Sequence, residues 1–189
     1  MRLFIAVEIA SDIRQWLVAY MSEARALPGV RLVRPEGLHV TLKFLGEVSE
    51  ERAERTVEAL RGVRASPFEL ELRGTGFFPN EKRPRIFWAG LHADPAQALA
   101  QLAAQVGDAC AAVGFAREER PFQPHVTLAR LGSGNPGARS GPVLPAASRF
   151  PAPPDSFGMM RATHFHLYES RLNPSGAFYT KLHSFALAP

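Results

Sequence analysis

Two short stretches of this chain carry the same four residues, His39-Val40-Thr41-Leu42 and His125-Val126-Thr127-Leu128. Each is followed at the same distance by a Leu-Gly pair, Leu45-Gly46 and Leu131-Gly132. A four-residue echo arises by chance; one that includes histidine and extends to the Leu-Gly pair points to two similar halves. Both copies fall on expected strands, where side chains at i and i+2 share a face. His39 and Thr41 therefore point together, as do His125 and Thr127, while the valine and leucine of each copy turn into a core. Two such halves facing each other would hold two imidazoles and two hydroxyls across one cleft.

That set suits phosphodiester cleavage. Opening a cyclic phosphate needs a base to activate water and an acid to protonate the leaving oxygen, and an imidazole with a pKa of about 6.5 can be either. One histidine must be neutral and the other protonated, so their surroundings should separate the two. The hydroxyls of Thr41 and Thr127 can donate to the non-bridging phosphate oxygens. Arg130 could add a charged contact to phosphate. Strict alternation would turn it into the core, so that role requires the strand to end or twist there. A lone strand histidine is ordinarily a packing or surface residue, but two copies with matched threonines favour chemistry. No metal and no cofactor are expected, because no Asp, Glu or Cys lies inside either motif. His164 and His166 form another i, i+2 pair and are the rival metal ligands; the plainer reading is a strand face near the cleft. His92 and His183 read as structural.

The 189 residues suit one compact domain or two small lobes on a shared core. With 46% hydrophobic and 21% charged residues, the chain has a globular composition. No apolar run approaches the roughly 18 residues of a membrane span. Glu8 and the missing small-residue cleavage site argue against reading MRLFIAVEIA as a signal peptide. A cytoplasmic location is expected. The single cysteine, Cys110, excludes an internal disulfide. Residues 1–119 carry 15 Lys/Arg against 16 Asp/Glu, whereas residues 120–189 carry 7 against 2, so the net charge of +4 belongs to the last third. That imbalance favours an anionic partner there, against the alternative of a plain solvated surface.

Strands are expected over Arg2–Ile9, near Val30–Val33 and Leu38–Leu45 as a pair around a Pro35-Glu36-Gly37 turn, and over Phe68–Leu72, Ile86–Leu91, His125–Leu131, Thr163–Ser170 and Phe178–Ala186. Ser11 opens a helix to about Leu27 with Ile13, Trp16, Leu17 and Tyr20 on one face. Ser49 opens a second to about Val63, with Ala53, Val57 and Leu60 inward. A third starts at Asp94-Pro95, with Gln97 in the capping-box place, and runs to about Val113. Residues 132–158 hold six prolines, five glycines and four serines and read as a long irregular loop. Mixed strands and helices without strict βαβ alternation make the class α+β.

With these pieces placed, the sequence resembles the two-histidine phosphoesterase superfamily, most closely its RNA 2′,3′-cyclic phosphodiesterase branch, historically called the 2′-5′ RNA ligase family. The twin His-x-Thr-x motifs carry the resemblance. Flanking matches span nearly the whole chain, among them Arg2–Val7, Lys43–Gly46, Gly76–Asn80, Arg83–Arg85, Trp88–Leu91, Pro124 through Arg130, Leu167–Ser170, Gly176 and Tyr179. The resemblance implies a single bilobal domain over residues 1–189, with two pseudo-symmetric lobes, antiparallel sheets around a central cleft and helices outside. It implies metal-independent hydrolysis of an RNA 2′,3′-cyclic phosphate to a 2′-phosphomonoester, with His39 as proton donor and His125 as proton acceptor. Sequence alone does not fix that direction, since pseudo-symmetry makes the roles look alike. Reverse 2′-5′ ligation uses the same groups.

Phe44 and Phe78 are candidates to stack on the terminal base, against a plain core role. Lys82, Arg83 and Arg85 form a basic cluster beside Phe77 and Phe78 that could guide an RNA backbone. Two alternatives stand beside the RNA-end reading: a small-molecule cyclic phosphodiesterase acting on a nucleotide or ADP-ribose cyclic phosphate, and a catalytically silent RNA-binding module. A monomer without an obligate protein partner is expected.

Overall fold

The computed structural model describes residues 1–132, 145–173 and 176–189. Among them, nine strands form one sheet in the order β7-β4-β5-β6-β3-β1-β8-β9, with β2 paired to β6 beside that path. The strands are β1 (Arg2–Glu8), β2 (Val30–Leu32), β3 (His39–Glu47), β4 (Phe68–Phe78), β5 (Ile86–Asp94), β6 (His125–Leu131), β7 (Gly158–Ala162), β8 (His164–Asn173) and β9 (Gly176–Ala186). The helices are α1 (Ser11–Met21), α2 (Glu50–Leu60) and α3 (Ala98–Ala112). Every strand pairing among the described residues is antiparallel. The α+β expectation holds.

The two lobes meet at the histidine strands. One lobe is β3-β1-β8-β9, the other β6-β5-β4-β7, and β3 pairs with β6 only at Val40–Val126. That bridge is the residue after each histidine. Past it the two strands part, and β6 takes β2 as its neighbour over Ala129–Leu131. The expected pairing of β2 with β3 is therefore replaced by pairing with β6, because both sides of β3 are already engaged, by β1 along its length and by β6 at its start.

Packing explains why the halves stay together. Val40 and Val126 are fully buried, and the core runs continuously from β1 and β3 through β6 to β4 and β5. Burying such valine, leucine and phenylalanine side chains contributes about 1.5–3 kcal/mol each. Ser49 caps α2 by accepting a bond from the Arg52 N–H, and Ala53, Val57 and Leu60 are buried as expected.

Four expectations shift. Helix α1 ends at Met21 and gives way to a 3-10 turn over Glu23–Ala26; its N-cap is Ala10 rather than Ser11. Trp16 is 44% exposed, lying at the edge of Phe157 rather than inside. Asp94 ends β5, paired to Glu69, so α3 starts four residues later and forms no capping box. Within the Pro/Gly/Ser-rich stretch, residues 133–144 lie outside the described residues. The rest of it is well anchored: Phe150 and Phe157 are buried, the Tyr20 hydroxyl donates to the Pro151 carbonyl, and Gly158 opens β7. Among the described residues no helix is long and apolar enough to cross a membrane.

Candidate active site

The repeated motif builds the same local structure twice. In β3, Ala6 faces Thr41 and Ile5 faces Lys43, leaving Leu42 as the extra residue of a bulge. In β6, Trp88 faces Thr127 and Phe87 faces Ala129, so Leu128 is extra at the same place. A bulge inserts one residue and resets the alternation. The burial patterns agree: Val40, Leu42 and Lys43 are buried before Phe44 emerges, and Val126, Leu128 and Ala129 before Arg130 emerges. Arg130 thus joins the face of His125 and Thr127 instead of the core, and the twist that the sequence required is this bulge. Phe44 occupies the equivalent place beside His39 and Thr41 and is 64% exposed. The Leu-Gly pair that follows is explained too, since Gly46 and Gly132 sit at φ of 72° and 85°, where a side chain would be strained.

Each imidazole is held from two residues upstream. His125 Nδ1 lies 2.8 Å from the Gln123 carbonyl oxygen. When neutral, the ring donates from Nδ1 to that oxygen and leaves Nε2 as the open acceptor. His39 is likewise bound to the main chain of Gly37. The surroundings of the two rings differ. His39 is packed among Phe4 at 4.7 Å, Tyr179 edge-on at 5.3 Å and Tyr168 at 6.4 Å between ring centres. Burial there, together with the charges of Arg130 and His125, pushes His39 down to about 4 despite its bond to Gly37. His125 meets Phe78 edge-on at 4.9 Å, and Phe78 in turn lies 5.2 Å from Trp88.

The residues expected to act on or contact the substrate are therefore on one face: His39, Thr41 and Phe44 from β3, His125, Thr127 and Arg130 from β6, and Phe78 from β4. Sequence reasoning missed the aromatic packing of His39. Phe4, Tyr168 and Tyr179 look like ordinary strand residues, and only their register within the β3-β1-β8-β9 lobe gives them a role. It also missed Lys43. Its side chain is only 3% exposed, and Nζ donates to the Ala116 carbonyl at 2.9 Å and pairs with Glu118 at 3.3 Å. This holds the segment that leads through Gln123 to His125.

His164 and His166 lie elsewhere on the same lobe. His166 Nδ1 is 2.9 Å from the Ser184 hydroxyl, and Nε2 is 3.9 Å from Glu8, which is itself bound by Lys181 at 2.6 Å. Burial, with Lys181 close by, pushes His166 down to about 4. Among the described residues no three His, Cys, Asp or Glu side chains stand close enough to hold a metal. His92 and His183 are exposed strand residues.

Known proteins share this architecture. The model of the LigT-like phosphoesterase family matches residues 7–88 and 90–179. An RNA 2′,3′-cyclic phosphodiesterase of Archaeoglobus fulgidus is 36% identical, covering 98% of this chain and 99% of the relative. One of Thermus thermophilus is 38% identical, covering 99% and 90%. A crystal structure of Escherichia coli LigT with 3′-AMP superposes with a TM-score of 0.78 at 29% identity, covering 100% of this chain and 98% of that one. A crystal structure of a Thermus thermophilus protein gives 0.77 at 35% identity, covering 99% and 98%. With two imidazoles, two threonines and a bulge-turned arginine brought to one face by the same fold, the chain belongs to the LigT-like phosphoesterase family.

Proposed function

We propose that this protein is an RNA 2′,3′-cyclic phosphodiesterase that opens the terminal cyclic phosphate to a 2′-phosphomonoester by acid–base catalysis with His39 and His125. The observation that carries this reading is the Val40–Val126 bridge, which sets the two His-x-Thr motifs side by side on one face. The names of its relatives support the RNA substrate. A monomer acting in the cytoplasm on RNA ends, with 2′-5′ ligation as the reverse reaction, completes the reading.

In the proposed reaction, His125 Nε2 takes a proton from water as the water oxygen bonds to phosphorus. The bond from phosphorus to the 3′-oxygen breaks, and His39 gives that oxygen its proton. The phosphate stays on the 2′-oxygen. Thr41, Thr127 and Arg130 donate to the non-bridging oxygens as their charge grows. Phe44 and Phe78 offer ring faces to the terminal base.

One observation favours the reverse direction: with a pKa of about 4, His39 is neutral in the unliganded protein at pH 7, the form of a base. In the donor role, the bound phosphate anion must supply the charge that burial withholds. A cyclic phosphate with sulfur in place of the 3′-oxygen separates the two directions, because a thiolate leaves without an acid. Rescue of His39→Ala but not His125→Ala by that substrate supports His39 as donor; rescue of His125→Ala alone reverses the roles. Product analysis on an RNA ending in a cyclic phosphate tests the activity itself.

A further inference from the structure

His39 and His125 are 86 residues apart, and the same offset relates whole segments of the two halves. It carries Arg31, Arg34 and Pro35 onto Arg117, Arg120 and Pro121, and Gly37, which holds His39, onto Gln123, which holds His125. It also carries α1 onto α3. At the places where these helices face the motif strands, however, the side chains differ in size. Leu17, Val18 and Met21 of α1 correspond to Ala103, Ala104 and Gly107 of α3. In the first half β2 pairs along β6 and the space left beside α1 is about 380 Å³. In the second half residues 116–124 form no strand, and the space between them, α3 and β3 is about 1000 Å³.

That larger groove reaches the candidate site, since Thr41, Phe44, Phe78 and His125 line it together with Arg85, Arg117, Arg120 and Phe122. Two acidic side chains line it as well, but Asp108 is paired with Arg117 and Glu118 with Lys43. Arg85 and Arg120 are exposed and have no ion-pair partner among the described residues, so the groove keeps a positive balance. About 1000 Å³ is the upper end of the range for pockets that bury a drug-sized ligand, more than one terminal base requires. Guanidinium groups spaced between aromatic faces are the chemistry of single-stranded nucleic acid binding.

We propose that this groove binds the single-stranded RNA leading to the cyclic end, with Arg85 and Arg120 on its phosphates and Phe122 beside its bases. This rests on the proposed function and extends it: the protein reads several nucleotides, not only the last. The asymmetry between the halves is the cause, since shrinking three helix side chains and leaving out one strand widens the space between α3 and β3 and not its counterpart beside α1.

The test compares a mononucleotide 2′,3′-cyclic phosphate with oligonucleotides of two to eight residues ending in the same group. For the wild type, kcat/KM should rise about tenfold or more with length and the gain should shrink as salt increases. Gly107→Glu puts a charge into the groove without disturbing the fold, because a Cβ at Gly107 meets nothing within 4 Å and glutamate is the better helix former. It should erase most of the length gain and leave mononucleotide turnover within about twofold. Arg120→Ala should lower the octanucleotide value several-fold. Equal kcat/KM at all lengths, or a length gain that survives both variants, would overturn the groove. Anisotropy binding of an octanucleotide ending in a plain 3′-phosphate reads the groove independently of turnover. If no cyclic phosphate is opened yet Gly107→Glu weakens that binding, the proposed activity fails and the groove stands.

Discussion

The two motif-bearing halves share a bulge, a main-chain anchor for the imidazole and a positive-φ glycine, and differ in what surrounds them. Around His39 the packing is aromatic and burial keeps the ring neutral; around His125 the neighbours are Phe78, the Gln123 carbonyl and an open groove. At the position five residues after each histidine, one half places Phe44 and the other Arg130. A duplicated scaffold thus holds the two imidazoles alike, and the divergence of its surroundings makes the two rings unlike before any phosphate binds. Equal halves would offer two groups of one kind.

The two halves differ most at that fifth position. Arg130→Ala removes a charge-assisted contact to the phosphate and should lower kcat/KM about 100-fold. Phe44→Ala, the equivalent change in the other half, should act mainly on KM and by far less. Equal effects in steady-state kinetics would mean that the halves have not specialised there.

Next in size is the pH dependence of stability. A folded pKa of about 4 for His39, against 6.5 for an unperturbed histidine, means that the unfolded chain takes up the proton first as pH falls. The stabilisation is complete above about pH 6.5 and is lost as pH falls toward 4. Urea unfolding at about pH 7 and about pH 4.5 should show His39→Gln losing about 2 kcal/mol less than the wild type over that interval. An unchanged loss would place His39 in wetter surroundings than these aromatic rings provide.

A smaller effect is expected at Lys43, whose counterpart in the other half is Ala129. Lys43→Met keeps the bulk but cuts the tie to Ala116, a charged hydrogen bond of the kind that contributes about 1.5–3 kcal/mol. Amide exchange should accelerate over residues 116–123, and kcat/KM should fall about tenfold as the Gln123 anchor loosens. Unchanged exchange would show that the segment holds itself.

Smallest is Gly76→Ala. A Cβ at Gly76 collides with the indole of Trp88, the residue that faces Thr127, so Trp88 must shift. A loss of about 1–3 kcal/mol in stability is expected from such overpacking, with a modest fall in turnover.

How much of this is legible in the sequence follows from the same contrast. The twin motifs, the cap of α2 and the alternation of β4 are local patterns, and each is readable. Arg130 is readable only as a question, because alternation cannot show a bulge; the answer lies in the register of β5 against β6. The pairing of β2 with β6 and the packing of Tyr168 and Tyr179 against His39 are long-range consequences of sheet order, which no window of sequence contains. The strand Gly158–Ala162 hides behind a proline-rich composition that ends where the strand begins. Lys43 reads as a surface lysine unless the segment before His125 is known to lie across it.

In the proposed reaction both imidazoles act on one phosphate. The most direct measurement is hydrolysis of an RNA oligonucleotide ending in a 2′,3′-cyclic phosphate, in the presence of a strong chelator, by the wild type, His39→Ala and His125→Ala. Wild-type conversion to a 2′-phosphate is expected, with a loss of about 10²–10⁴-fold in each variant and both variants folded. Turnover that needs added metal, or that survives either substitution, would contradict it.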